Sequence, residues 1–174
     1  FVVKMSGREI KDYLEASYDQ WINTLTPAQL SSPISDASPA LLKIINHPDP
    51  RTSRQSWSFQ NRSYNFDSAA GINYTVDVTK PSGERISISS MADGAVFDFA
   101  REYNVAMTSY RACGGGGLLL AIGIDTSDID SRIVARLPEY RNILYSYLKS
   151  HPVLTSEELG DTSVTGTWKF VPEK

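Results

Sequence analysis

Apolar and polar residues alternate through the middle of the chain. Ile72, Tyr74, Val76 and Val78 fall on every second position, with Asn73, Thr75 and Asp77 between them. A period of two marks a half-buried strand. Ile86 and Ile88 repeat it within residues 85–89, and Tyr103, Val105 and Met107 repeat it again. Turn chemistry separates these runs at Pro81-Ser82-Gly83 and Ala92-Asp93-Gly94. Residues 57–67 are expected to form a further strand, which would put Tyr64 and Phe66 on one face. Residues 1–5 read as a short strand. Trp168, Phe170 and Val171 read as a last edge strand.

Two segments have a longer period. Ile10, Leu14, Tyr18, Trp21 and Leu25 recur every three or four residues, which predicts an amphipathic helix over 7–25. Ser6-Gly7-Arg8-Glu9 opens it as a capping box, with Ser6 and Glu9 each able to satisfy the other's backbone amide. Tyr140, Ile143, Leu144, Tyr147 and Leu148 form a second stripe over 138–150, with Pro138 suited to a first helical turn. Residues 26–56 are rich in Pro, Ser, Asp and Thr around one apolar run, 41–45, and read as an excursion with one short element. Helices at both ends and hairpin-like strands between them specify an α+β fold, a mixed sheet flanked by helices.

Composition bounds the function. A chain of 174 residues can bury its own core as one domain. The net charge of −3 argues against a nucleic-acid polymer or a polybasic membrane surface as partner. The longest apolar run, 118–122, falls far short of the ~20 residues of a spanning helix. The single cysteine, Cys113, excludes an internal disulfide. The chain starts in a strand at Phe1, without an initiator methionine or a signal peptide, and so reads as a fragment of a longer protein.

Catalytic chemistry is poorly represented. His47 and His151 each precede a proline, and no second Cys or spaced His completes a zinc pattern. Neither a Walker loop nor a nucleophile elbow occurs. Asp125, Asp128 and Asp130 read as a solvated loop and helix start. Cys113 has no nearby histidine to activate it. No catalytic residue and no metal ligand is assigned.

Binding chemistry is better represented. Ser109-Tyr110-Arg111-Ala112-Cys113 runs into Gly114-Gly115-Gly116-Gly117 directly after an alternating stretch. Glycine lets a backbone approach a ligand closely. Upstream lie Tyr64-Asn65-Phe66-Asp67 and Ala70-Gly71-Ile72-Asn73-Tyr74. Tyr110 could close the sheet as a core ring or face a ligand, and Tyr64 and Phe66 are open to the same two readings. Two aromatic strand ends and a glycine loop suggest a slot for a flat ligand such as a nucleobase.

These motifs, in order after Val2-Val3-Lys4-Met5-Ser6-Gly7-Arg8-Glu9-Ile10, resemble the C-terminal domain of the 5′-nucleotidase family over residues 1–150. Tyr-Asn-Phe-Asp and Tyr-Arg-Ala-x-Gly-Gly are most like the 2′,3′-cyclic-nucleotide 2′-phosphodiesterase/3′-nucleotidase branch. The resemblance implies a two-domain, periplasmic or extracellular hydrolase. Its N-terminal metallophosphoesterase domain, with two divalent metal ions, would lie outside this chain. The C-terminal domain would bind a nucleoside or nucleotide with the base between two rings. By position these are Tyr110 and either Tyr64 or Phe66, with Gly114, Gly115 and Gly116 shaping the slot. Gly116 stands where 5′-nucleotidases carry a nucleoside-binding aspartate. A stand-alone binding or structural module is the alternative.

Overall fold

A computed structural model describes residues 1–31, 41–52, 54–155 and 167–173. Strand β1 (Val2–Ser6) runs directly into helix α1 (Gly7–Asp19). The capping box forms: the Glu9 amide donates to Ser6 Oγ at 3.2 Å, and the Ser6 amide donates to the Glu9 carboxylate at 2.8 Å. Only glycine fits at the junction, because a Cβ on Gly7 would strike the backbone of Asp98 and Phe99. The helix stops at Asp19, short of the predicted residue 25. Residues 21–23 instead pair with 41–43, through Lys43 N to Trp21 O and Asn23 N to Leu41 O. Ile22 and Leu25 are still buried, so the apolar stripe marked core positions beyond the helix that it suggested.

The 26–56 excursion holds more structure than expected. Helix α2 (Pro27–Ser31) is followed by β2 (Ile44–Pro48), which pairs antiparallel with β3 (Gln55–Phe59). The strand expected over 57–67 ends at Phe59, and a 3₁₀ turn, Ser63–Asn65, follows. Its residues are polar apart from Tyr64, so alternation could not separate a strand from a turn here.

Two larger sheets carry the domain. In the first, β4 (Ile72–Asp77) lies between β5 (Ile86–Met91), antiparallel, and β8 (Trp168–Val171), parallel. The alternation holds on β4: Ile72, Tyr74 and Val76 are buried. In the second, β1 lies between β6 (Glu102–Ala106) and β7 (Ile133–Ala135), both antiparallel. The strands β3 to β6 therefore do not form one sheet. Long-range pairing with β1 takes β6 away from β4 and β5. Helix α1 serves both cores, placing Leu14 and Tyr18 with Ile72, Tyr74 and Val76, and Tyr13 with Val3, Met5, Leu118 and Leu119. After β6 come α3 (Ser109–Ala112) and α4 (Leu118–Ala121). The fold is α+β, with a mixed sheet and helices, as the sequence pattern indicates.

Helix α5 (Tyr140–Ser150) forms within the expected span, but none of its residues is buried. Tyr140, Ile143, Leu144, Tyr147 and Leu148 are all exposed, so this stripe does not flank the sheet. Periodicity identifies the apolar side of a helix and says nothing of what covers it.

These placements give a contrast in stability. Leu14→Ala empties a fully packed position and is expected to cost about 2–5 kcal/mol. Leu144→Ala on exposed α5 is expected to stay within about 0.5 kcal/mol. Urea midpoints at unchanged slope measure both. Equal losses would mean that α5 belongs to the folded core.

Candidate functional site: an aromatic pair on a buried arginine

Arg111 lies on the short helix α3, whose start is fixed by the Arg111 amide donating to Thr108 Oγ1 at 3.3 Å. Its side chain is only 5% exposed. A guanidinium has five N–H donors in a rigid fork, and each finds an acceptor here. Nε and Nη2 grip the two carboxylate oxygens of Asp67 at 2.7 and 2.8 Å. Nη2 also donates to the Tyr64 carbonyl at 2.8 Å. Nη1 donates to Asn65 Oδ1 at 3.1 Å and to the Gly115 carbonyl at 3.0 Å. Burial works against the Arg111 charge, but the bonds to Asp67 and its charge outweigh it and push the pKa up.

Asp67 is held from its other side by α1. Tyr13 Oη donates to Asp67 Oδ2 at 2.5 Å, the Asp67 amide donates to Ser17 Oγ at 2.8 Å, and Ser17 Oγ donates to the Asp67 carbonyl at 2.7 Å. Burial, then the bond to Asp67, pushes the Tyr13 phenol far above its ordinary range, so it stays a donor. The outcome is a continuous polar hub from α1 through Asp67 and Arg111 to the 3₁₀ turn and the glycine loop.

Two rings stand on this hub. Tyr110 is 49% exposed and Tyr64 is 60% exposed. Their centroids are 6.4 Å apart, and their planes meet at 73°. The rings therefore do not face one another as parallel planes about 7 Å apart, the spacing of two ~3.5 Å carbon contacts. Touching aromatic rings favour edge-to-face contact because of their quadrupoles. Tyr110 Oη donates to Asn65 Oδ1 at 3.3 Å, and Arg62 Nη1 donates to Tyr64 Oη at 2.9 Å.

Phe66 is turned the other way. It packs against Tyr18 and Trp21, with centroids 5.0 Å from each, as part of the core. The expectation that Tyr64 and Phe66 share a face needed a strand. The 3₁₀ turn breaks the period of two and sends Tyr64 outward and Phe66 inward. Tyr110 likewise stands on a helical turn, not at a strand end.

Gly114, Gly115 and Gly116 lie against the protein's own atoms. A Cβ on Gly115 would come within 2.5 Å of the Tyr110 ring. Gly116, at φ +79°, would collide with the Arg111 guanidinium and Asn65. Gly114, at φ +89°, would meet Thr126 Oγ1 at 2.9 Å. The loop has to be this small for Tyr110 to lie over it and for Arg111 to pass beneath. Arg111, Asp67 and Asn65 were not candidates in the sequence. The signal was present in Tyr-Asn-Phe-Asp and Tyr-Arg-Ala, but only the aromatic members had an evident role.

A groove of about 940 Å³ opens beside the rings. Tyr64, Tyr110 and Arg111 line it together with Phe1, Leu137 and Tyr140. A second cleft of about 590 Å³ adjoins it across Asp67 and Arg111. The remaining sequence candidates lie elsewhere in structural roles. His47 shares a hydrogen bond with Ser58 Oγ, His151 stacks on Tyr147, Asp125 caps the Ser127 amide, and Asp130 pairs with Arg136.

Residues 1–121, which carry β1, the ring turn, α3 and the glycine loop, match the family described as 5′-nucleotidase, C-terminal domain. The chain belongs to that family. Two relatives of this 5′-nucleotidase C-terminal domain carry enzyme names. It is 34% identical to the trifunctional nucleotide phosphoesterase protein YfkN of Bacillus subtilis, over 67% of the chain and 7% of that protein. It is 30% identical to a 2′,3′-cyclic-nucleotide 2′-phosphodiesterase/3′-nucleotidase of Haemophilus influenzae, over 98% of the chain and 23% of that protein. The chain thus spans less than a quarter of the curated relatives it matches. A solved Staphylococcus aureus protein described as a 5′-nucleotidase, in complex with alpha-ketoglutarate, shares the fold. Its TM-score is 0.50 at 18% identity, over 97% of this chain and 26% of that one.

The glycine geometry is testable in this 5′-nucleotidase C-terminal domain. Gly115→Ala must displace the Tyr110 ring and is expected to cost about 1–3 kcal/mol as an overpacked site. Gly117→Ala has open space, so it meets only the strain of φ +71°, about 1–2 kcal/mol. The discriminating readout is the NMR ring resonances of Tyr110. They should shift in Gly115→Ala and stay in place in Gly117→Ala. Unmoved resonances in Gly115→Ala would contradict the packing described.

Proposed function

We propose that this chain is the nucleoside-binding domain of a nucleotide phosphohydrolase that acts on 2′,3′-cyclic or 3′-nucleotides. The observation that carries the reading is the exposed pair Tyr64–Tyr110 over a groove, fixed to one buried cation by the surrounding backbone. Base–aromatic stacking contributes about 1–3 kcal/mol per base where it has been measured. A base enters when the two half-exposed rings rotate from edge contact toward facing planes. The hub's backbone need not move, because Arg111 is held by Asp67, the Tyr64 carbonyl, Asn65 and Gly115; only the 3.3 Å bond from Tyr110 Oη to Asn65 is given up as that ring turns.

Hydrolysis belongs, on this reading, to a metal-bearing domain that precedes the chain in the full protein, outside the cytoplasm. Among the described residues no three His, Cys, Asp or Glu side chains come together. Of the two carboxylates lining the groove, Asp67 and Glu139, Asp67 is engaged by Arg111 and Tyr13. The contribution of this domain is to hold and orient the nucleoside so that its phosphoester is presented to the catalytic domain.

In the full-length protein, Tyr110→Ala is expected to weaken nucleotide binding by about 1–3 kcal/mol. The loss should appear in KM with kcat nearly unchanged, because stacking is equal in the ground and transition states. Tyr110→Phe keeps the ring face and loses only the 3.3 Å bond to Asn65, so it should be mild. Chain 1–174 alone should release no phosphate from 3′-AMP. Unchanged KM in a folded Tyr110→Ala, or turnover by the isolated chain, would overturn the proposal.

A further inference from the structure

Among the described residues strand β6 is the edge of its sheet, with β1 on one side and no strand on the other. The register shows which of its backbone groups are left over. Phe1 and Met107 exchange both bonds at 2.9 Å, and the Gly7 amide donates to the Arg101 carbonyl at 2.9 Å. Bonded and unbonded pairs alternate in an antiparallel ladder. Tyr103 and Val105 therefore point their N–H and C=O toward β1, and Asn104 and Ala106 point theirs away. Among the described residues neither outward residue has a partner for its amide or its carbonyl. Native edges are blunted by charge, proline, a bulge or a cover. Residues 103–107, Tyr-Asn-Val-Ala-Met, hold no charge and no proline, and their pairing with β1 has no bulge. A cover is the remaining device.

Asn104 and Ala106 both line the cleft of about 590 Å³. Residues 68–71 line it too, and their backbone shows the same period of two. The Asp67 and Ala69 amides are bonded, to Ser17 Oγ at 2.8 Å and Tyr74 Oη at 3.2 Å, while those of Ser68 and Ala70 have no partner among the described residues. Bonds tie the cleft at both ends. At one, Arg111 holds Asp67 at 2.7 and 2.8 Å. At the other, the Ala92 amide donates to the Gly71 carbonyl at 2.9 Å, and the Phe97 and Tyr103 rings stack at 5.0 Å. Buried Met5, Leu14, Ile72 and Phe97 line the space between. The charged side chains that line it, Asp67 and Arg111, neutralise each other, so the cleft favours an uncharged occupant. Unpaired backbone donors and acceptors along an apolar slot are what an added strand requires. We propose that this cleft seats an extended strand supplied by the part of the full-length protein outside these residues. Its backbone bonds to Asn104 and Ala106, and its apolar side chains cover the buried residues at every second position. The chain spans less than a quarter of the relatives it matches, and a tethered segment meets the edge at about millimolar effective concentration. The proposal rests on the reading of this chain as one domain of a longer enzyme, and not on the ring pair.

The test is amide-resolved hydrogen exchange on the full-length protein. The Asn104 and Ala106 amides are expected to exchange at least about 100-fold more slowly than unbonded amides. Exchange at the unbonded rate would overturn the proposal, and this wild-type measurement stands whether or not a variant folds. Ala106→Pro removes one outward donor and keeps the β1 ladder, because proline is tolerated where the N–H points off an edge. It should speed Asn104 exchange by about tenfold or more, with the Met5 and Tyr103 amides unchanged. Asn104 protection that survives Ala106→Pro would mean burial without strand pairing, and would also overturn the proposal. So would protection that is lost on dilution, which assigns the edge to a second copy. Tyr110 does not line this cleft, so Tyr110→Ala should leave the Asn104 protection in place. Free edge amides with an intact Tyr110→Ala effect on KM would sink the strand alone. Protected edge amides with no Tyr110→Ala effect would sink the nucleoside reading alone.

Discussion

The site depends on one ion pair, Arg111–Asp67. A cation that is 5% exposed is tolerated only when it is paired and its donors are satisfied. Here the satisfaction is complete, and the acceptors come from separate parts of the chain. Asp67 is tied to α1 through Tyr13 and Ser17. The Tyr64 carbonyl and Asn65 belong to the 3₁₀ turn, and Gly115 belongs to the glycine loop. The backbones beneath both exposed rings therefore share one anchor, and neither can shift without breaking bonds to a buried charge.

This arrangement divides labour between rigid and mobile parts. The hub fixes where the rings are rooted, while their faces stay half in solvent. On the proposed reading, in which the pair holds a base, a fixed root means that less ordering is needed on binding. The glycines belong to the rigid part. Their lack of Cβ admits the Tyr110 ring and the Arg111 fork, and any ligand contact with the loop comes on top of that packing role. The same economy of space appears at Gly7, where β1 passes into α1 against the 98–99 backbone.

Much of this was legible in the sequence where the cause is local. The Ser6–Glu9 box, the alternation on β4 and the existence of α5 each follow from neighbouring residues, and each is present. The readings that differ depend on distant partners. The pairing of β6 with β1 spans about a hundred residues and leaves no local mark. The stripe of α5 is genuine, yet the described residues leave it uncovered. At the site, the aromatic residues were visible, but assigning Phe66 a place beside Tyr64 assumed a strand where the chain makes a 3₁₀ turn. Arg111 and Asp67 lie 44 positions apart, and nothing in their separate surroundings announces that one neutralises the other.

The most direct measurement is a double-mutant cycle on that pair. Asp67→Asn, Arg111→Lys and the double variant would be compared for unfolding free energy and for nucleoside affinity, with Tyr64 and Tyr110 intact throughout. The account predicts a coupling of about 0.5–3 kcal/mol in stability, and weaker nucleoside binding in each single variant although no ring is altered. Additive effects on stability, with nucleoside affinity unchanged in all three proteins, would contradict it.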